Sequence, residues 1–294
     1  MSINIIPTWQ VQQYANTINL LLQQRGSKLR NTVTVGNYVG KQASPVDQLG
    51  AVNMQPVTTK FGPMGRIDAP TDRRWVFPLD FDLPQLIDTL DLLRIKLDPK
   101  SDYTQNALHA AGRQLDDLII DNLFADAKTG ETGGTTTTFL AGNIVAVNFG
   151  AAGNTGLTVA KMREAKRILM AHEVDFEAEE PTMIVKAKQH DNLLAEAQVI
   201  STDFNEKPVM VDGKVTRFLG INIKHCERLD ANGSSQDLIP VYVKSGMHLG
   251  IWNDISTNIA QRVDLQNIPW QVYVTLTAGA TRIEEKKVVQ IVCA

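Results

Sequence analysis

The chain has 294 residues, with 29 Lys and Arg against 32 Asp and Glu, a formal net charge of −3, 43% hydrophobic and 21% charged residues, and a mean hydropathy of −0.13. That balance excludes global disorder and a fibrous chain, and a pI of about 6.0 argues against a protein whose main task is gripping phosphate with a basic face. The length suits one large domain or two ordinary ones, and no apolar run approaches the roughly 20 residues of a membrane span, so no membrane partner is expected.

Residues 1–9 hold no basic stretch leading into an apolar block, so no secretory signal is read there and a cytoplasmic site of synthesis is expected. Over 8–25, Val11, Tyr14, Ile18 and Leu21 recur at three- and four-residue spacings, which predicts a helix with Thr8 at its start and Gly26 at its end. Such a helix covers its own core or docks on a neighbour. Over 31–79 the pattern changes: Val33 and Val35 alternate with Thr32 and Thr34. Five prolines and five glycines follow, ending at Pro78. Proline removes amide donors and glycine adds freedom, so this stretch predicts an extended ribbon or long hairpin with its tip near 62–65. A structureless loop of that length does not suit a compact interior, so the ribbon should leave the body and lie on a partner.

A helix of about seven turns is predicted from Pro99 to about Lys128. Leu108, Ala111, Leu115, Leu118, Ile119 and Asn122 form its stripe, with Arg113, Asp116, Asp117 and Asp121 largely on other faces. The Gly- and Thr-rich stretch 130–138 reads as a surface turn. Next come a strand (144–149), a Gly-rich turn, a helix from Thr158 through Met162, Ala165 and Leu169, a strand (183–185) and a short helix (191–195). The remainder is β: a hairpin about Asp212-Gly213 joining 209–211 to 215–219, then 221–225, 239–243, 248–252, 270–276 and 288–292. Helices and strands are partly segregated, which predicts an α+β fold. Cys226 and Cys293 cannot form a disulfide framework and read as buried small hydrophobes.

Chemistry-bearing motifs are sparse. Gly150, Gly153 and Gly156 follow a strand and precede a helix, as a dinucleotide site requires, but their spacing is G-x-x-G-x-x-G, so a plain connection is the favoured reading. His172-Glu173 begins like a zinc-protease motif, yet Phe176 stands where the second imidazole belongs. The five histidines are scattered, and Asp230, Asn232, Ser234 and Asp237 lack the spacing of a calcium loop. No catalytic, metal or cofactor residues are assigned.

Leu249-Gly-Ile-Trp-Asn253, then Thr277-Ala-Gly-Ala-Thr-Arg282, then Val288-Val-Gln-Ile-Val292 give a glycine-flanked apolar strand, an extended strand into small residues and a closing apolar strand. With this element order the sequence resembles the major capsid proteins of tailed bacteriophages, which have the HK97-like fold. The resemblance implies an N-terminal arm (1–31), an extended β-hairpin loop (32–80), a peripheral domain (81–142 and 263–294) built on a long spine helix (101–127), and an axial domain (143–262). It further implies a homo-oligomer, with hexamers and pentamers closing an icosahedral shell around double-stranded DNA held without sequence-specific contacts. Scaffold, portal and decoration proteins are possible partners; a long, charged, helical N-terminal scaffold segment is not recognised, so a separate scaffold or none is expected. The virion is the expected location. Subunit-interface candidates are Trp9, Tyr14, Ile18, Lys60, Arg66, Asp68, Asp72, Arg73, Arg74 and Trp75, since charges on an arm are expected to have few partners in their own subunit; solvated surface charge is the alternative for each. Two other readings stay open: an encapsulin-type shell, and a nucleotide-binding enzyme using the Gly150-Gly153-Gly156 turn.

Overall fold

A computed structural model of the chain describes residues 22–56, 60, 62, 65–87, 100–196, 199, 215–233 and 236–294. The expected helix over 8–25 lies almost wholly outside these residues, as do the Asp212-Gly213 turn and the interface candidates Trp9, Tyr14 and Ile18.

In chain order the strands and helices are β1 (Thr34–Asn37), β2 (Ala43–Leu49), β3 (Thr71–Val76), β4 (Leu79–Ile87), α1 (Lys100–Phe124), β5 (Ala127–Thr129), β6 (Thr135–Thr137), β7 (Ile144–Val145), α2 (Val159–Ala171), β8 (Thr182–Val185), α3 (Ala187–Ala195), β9 (Arg217–Phe218), β10 (Ile221–His225), β11 (Asp237–Tyr242), β12 (Met247–Gln261), β13 (Trp270–Arg282) and β14 (Val288–Cys293). They form three sheets, ordered β1-β12-β13-β4, β7-β14-β11-β8-β10-β9 and β2-β3-β5-β6. The α+β expectation agrees with this architecture.

The spine helix α1 packs lengthwise on β13. Its first half meets the sheet through Ala107 and Ala111 against Val274, small side chains that let helix and sheet approach closely. Its second half drives Leu115, Leu118, Ile119, Ile120 and Leu123 into the main core. The buried stripe is rotated relative to the predicted one: Leu108 is 37% exposed, while Asp116, placed off the stripe, is fully buried. The helix also stops at Phe124 rather than near residue 127, because Arg282 of β13 donates from Nη1 to the carbonyls of Leu123 (2.9 Å) and Ala125 (2.8 Å). A buried cation on the last carbonyls ends the helix and suits its dipole.

The six-stranded sheet is covered by α2, which is capped by Thr158 and buries Met162, Ala165 and Leu169. β8 is buried on both faces, as its unbroken apolar sequence requires. The described hairpin in this region turns at Leu219-Gly220, where both φ angles are positive (53° and 79°), and joins β9 to β10. One continuous core runs from α1 through α2 to β8, β11, β12 and β14. The boundaries expected from sequence cut across the sheets: β12, inside 143–262, pairs with β13, and β14, inside 263–294, pairs with β11 and β7.

The Pro/Gly-rich stretch does form an antiparallel ribbon, β2 with β3, extended past the Leu49–Thr71 pair by the Gly50 amide donating to the Pro70 carbonyl (2.7 Å). β1 does not belong to it and pairs in parallel with β12. The threonine run is not a plain turn: β5 and β6 form a hairpin that adds to the ribbon through β3.

Candidate functional site

Two places fix the N-terminal segment and the ribbon to the rest of the fold: where residues 23–30 cross α1, and where the ribbon crosses β13. At the first, Asp116 accepts from Gln24 Nε2 (2.5 Å), Ser27 Oγ (2.5 Å), Lys28 N (2.9 Å) and Leu29 N (3.1 Å). A buried carboxylate facing four donors, two of them backbone amides, replaces its lost hydration with fixed partners. One turn earlier, Gly112 leaves room for the chain itself: a Cβ there would sit 2.5 Å from the Gly26 carbonyl carbon. Arg113 donates to Gln23 Oε1 (2.6 Å) and Arg30 forks onto Asp254 of β12 (3.1 and 2.6 Å). Residues 23–30 are thus fixed to the spine helix and the sheet beside it.

At the second crossing, a Cβ on Gly279 of β13 would lie 2.3 Å from the Phe77 carbonyl oxygen. Gly279, within the small-residue segment 277–282, thus leaves room for the end of β3 to pass over β13. Ion pairs and amide contacts secure the ribbon's root. Arg74, 4% exposed, donates from Nε to Ile283 O (2.8 Å) and from Nη2 to Glu285 Oε2 (2.9 Å), and Gln48 Nε2 reaches the same Ile283 carbonyl (2.5 Å).

The sequence reading expected the ribbon charges to have few partners within their own subunit; instead, Arg66, Asp68, Asp72, Arg73 and Arg74 all find partners there. Arg73 pairs with Asp47 (2.5 Å) and Arg66 with Asp68 (2.7 Å). Asp72 accepts from Arg74 Nη1 (3.2 Å) and from the amides of Arg73 and Gly130. The Arg73–Asp47 pair forms because antiparallel pairing sets these two residues opposite each other, whereas Arg66–Asp68 and Asp72–Arg74 join residues two apart in one segment. Trp75 donates from Nε1 to the Gly130 carbonyl (2.7 Å), and its indole fills the space beside Gly133, so it ties the ribbon to the β5–β6 hairpin. Lys60 lies exposed in the outer part of the ribbon. Asp116, Gly112, Gly279, Arg282 and Glu285 were all missed. An acid and a glycine one turn apart in a long helix, and a glycine amid small residues in a strand, were the available signals.

The Gly-rich turn is occupied from within. Lys161, fully buried, donates from Nζ to the carbonyls of Thr155 (2.8 Å), Gly156 (3.0 Å) and Val292 (3.0 Å), and burial holds its pKa below the usual lysine range. A phosphate loop turns amides inward; this loop turns carbonyls inward onto an ammonium. The nucleotide-binding reading of Gly150, Gly153 and Gly156 is thereby corrected. His172 pairs with Asn143 Oδ1 (2.8 Å), His190 accepts from the Val215 amide, and His225 pairs with Glu227. Among the described residues no group of His, Cys, Asp and Glu is arranged to hold a metal ion, and no helix is long and apolar enough to cross a membrane.

His248 is buried between β1 and the ribbon cleft. Thr34 Oγ1 donates to Met247 O (2.6 Å), so His248 Nδ1–H donates to Thr34 Oγ1 (3.0 Å) and Nε2 accepts from Tyr38 OH (2.9 Å). The ring is neutral, with its pKa lowered to about 4 by burial.

The architecture is that of known shells. Over 100% of this chain and 98% of the other, the fold matches a capsid chain of cyanophage Pam1, with a TM-score of 0.77 at 13% identity. A capsid chain of cyanophage P-SCSP1u matches with a TM-score of 0.74 at 15% identity, over 97% and 93% of the two chains. A chain of Mycobacterium phage Che8 gives 0.72 at 12% identity over 97% of each. At such identities the likeness is one of fold. A sequence search of curated proteins gives no match. The family model described as phage capsid protein matches residues 6–294. With that match over nearly the whole chain, and a fold shared with phage capsid chains, the chain belongs to the phage capsid protein family and is a structural protein of the capsid, of the HK97-like fold.

Proposed function

We propose that the chain assembles into hexamers and pentamers that close an icosahedral shell around double-stranded DNA. The ribbon, and the arm rooted at residues 23–30, lie across neighbouring subunits. The observation that carries this is the ribbon's surface. Leu49, Val52, Met54 and Ile67 are 74%, 54%, 99% and 47% exposed, on a segment whose root is tied to its own body through Arg74 and Gln48. Apolar side chains gathered on a projecting arm favour a protein partner over water, and large obligate interfaces of about 2,000 Å² or more hold such assemblies together.

In this reading Lys60, Arg66, Asp68, Asp72, Arg73 and Trp75 reach a neighbour from the ribbon, while Trp9, Tyr14 and Ile18 do so from the arm; Arg74 anchors the ribbon instead. α1 with the β1-β12-β13-β4 sheet is the peripheral part and the six-stranded sheet with α2 and α3 is the axial part. The work is mechanical, with no catalytic step and no cofactor. The net charge of −3 suits a wall that encloses DNA without gripping it. Assembly takes place in the host cytoplasm, with scaffold, portal and decoration proteins as candidate partners.

Electron microscopy with light scattering, on the full chain and on deletions of 1–26 and of 60–72, tests this. Closed shells, or hexameric and pentameric rings lost on either deletion, support it. A monomer indifferent to both deletions, with or without a co-expressed scaffold, overturns it.

A further inference from the structure

The ribbon's root covers a cleft of about 810 Å³, lined among others by Gln48, Asp72, Arg74, His248, Ile283 and Glu285. At its edge two buried guanidinium groups share one carboxylate. Glu285 accepts from Arg74 Nη2 on its Oε2 (2.9 Å), while its Oε1 is buried with no hydrogen-bond partner. Arg282 is fully buried and uses Nη1 on the end of α1, but its Nε is likewise buried and unpartnered. These two orphaned atoms face each other at 3.8 Å, just beyond hydrogen-bond reach. Each is the complement of the other: at this distance the two charges are ion-paired but not hydrogen-bonded, whereas Oε2 is hydrogen-bonded to Arg74.

We propose that Glu285 is a two-position latch for the ribbon. In the position described here it holds Arg74 and keeps the ribbon against the body. When the ribbon lifts and withdraws Arg74, the carboxylate closes the 3.8 Å gap onto Arg282 Nε, so the buried charge on the body side stays paired. An unpartnered buried charge is costly, and a carboxylate with a second guanidinium in waiting avoids that state. The ribbon can then take two angles without stranding an ion. Arg282 stays fixed in both, anchored by the Leu123 and Ala125 carbonyls and by the Phe139 ring 5.2 Å from its Cζ. This inference concerns how the ribbon is attached to its own body and stands whether or not the ribbon crosses a neighbour.

The test compares Arg74→Gln with Glu285→Gln in the full-length chain. In a structure of Arg74→Gln, the latch places Glu285 Oε1 within hydrogen-bond distance of Arg282 Nε. In denaturant unfolding, Glu285→Gln, which takes the shared carboxylate from both guanidinium groups at once, lowers the unfolding equilibrium midpoint further than Arg74→Gln, by at least a tenfold difference in the unfolding constant. Glu285 unmoved in Arg74→Gln, or equal losses in the two variants, overturns the proposal. If Arg74→Gln does not fold, Arg74→Lys is used with the same structural readout. Failure of both to fold also overturns it, because a latch with a second position tolerates loss of the first.

Discussion

Gly112 and Asp116 stand one turn apart on the spine helix and grip the same stretch of incoming chain. The missing Cβ of Gly112 makes room for Gly26, and the Asp116 carboxylate takes the amides of Lys28 and Leu29 that follow. One residue supplies space and the other supplies acceptors, so neither substitutes for the other. Replacing Asp116 by Ala leaves buried amides unpaired and should cost about 3 kcal/mol. Gly112→Ala should cost about 1–3 kcal/mol through overpacking alone. Denaturant unfolding of the two single variants and the double variant measures both, and a double-variant cost below the sum identifies the shared segment.

Gly279 and Gly153 offer a contrast within one chain. A Cβ at Gly279 meets the Phe77 carbonyl oxygen, whereas at Gly153 it meets nothing within 4 Å. Gly279→Ala is expected to lower stability by about 2 kcal/mol or more, and Gly153→Ala to change it by less than about 0.5 kcal/mol. Thermal melts of the two variants side by side give the comparison.

His248 predicts an acid dependence of stability. Its ring is held neutral with a pKa of about 4 against an ordinary 6.5, so between those values the unfolded chain binds more protons than the folded one. Stability contributed by this site is therefore fully present above pH 6.5 and falls as the pH drops toward 4, by on the order of 3 kcal/mol. Urea unfolding at pH 7 and pH 4.5 should reveal the loss, and His248→Gln should flatten the dependence across that window.

Lys161 predicts a loss specific to the Gly-rich turn. Lys161→Ala removes the donor to three carbonyls and opens a cavity, and should cost about 3 kcal/mol. Lys161→Met restores the volume and should recover part of it. Because burial lowers the lysine's pKa, the folded chain holds its proton less tightly, so wild-type stability should gain as the pH rises toward 10.5 and the Met variant should lack that gain. Unfolding midpoints at pH 7 and 9.5 decide it.

The sequence carried the ribbon, the spine helix and the α+β class, because prolines, glycines and 3.6-residue periodicity act locally. It also carried α2, whose Thr158 cap and apolar spacing are found in the structure. What it did not carry depended on distant partners. The end of α1 is set by Arg282, 159 positions away in sequence from Leu123, and no property of residues 120–127 announces that. Arg73 and Arg74 looked unpartnered because their partners lie far along the chain, Asp47 on β2 and Glu285 in the short turn before β14. Asp116 looked like a solvent-facing acid, since periodicity sorts residues by polarity and cannot register four donors brought over from residues 24–29.

The position of β14 has a consequence for synthesis. The strand formed by Val288–Cys293 is not at a margin; it lies between β7 and β11 in the six-stranded sheet and contributes Val288, Val289 and Ile291 to the core. A nascent polypeptide interrupted before residue 288 already contains the ribbon and the anchoring segment at 23–30, yet lacks the strand that joins β7 to the rest of its sheet. The body therefore closes only after this strand has been made, and translation products that stop short of it are left without a finished surface to offer a growing lattice.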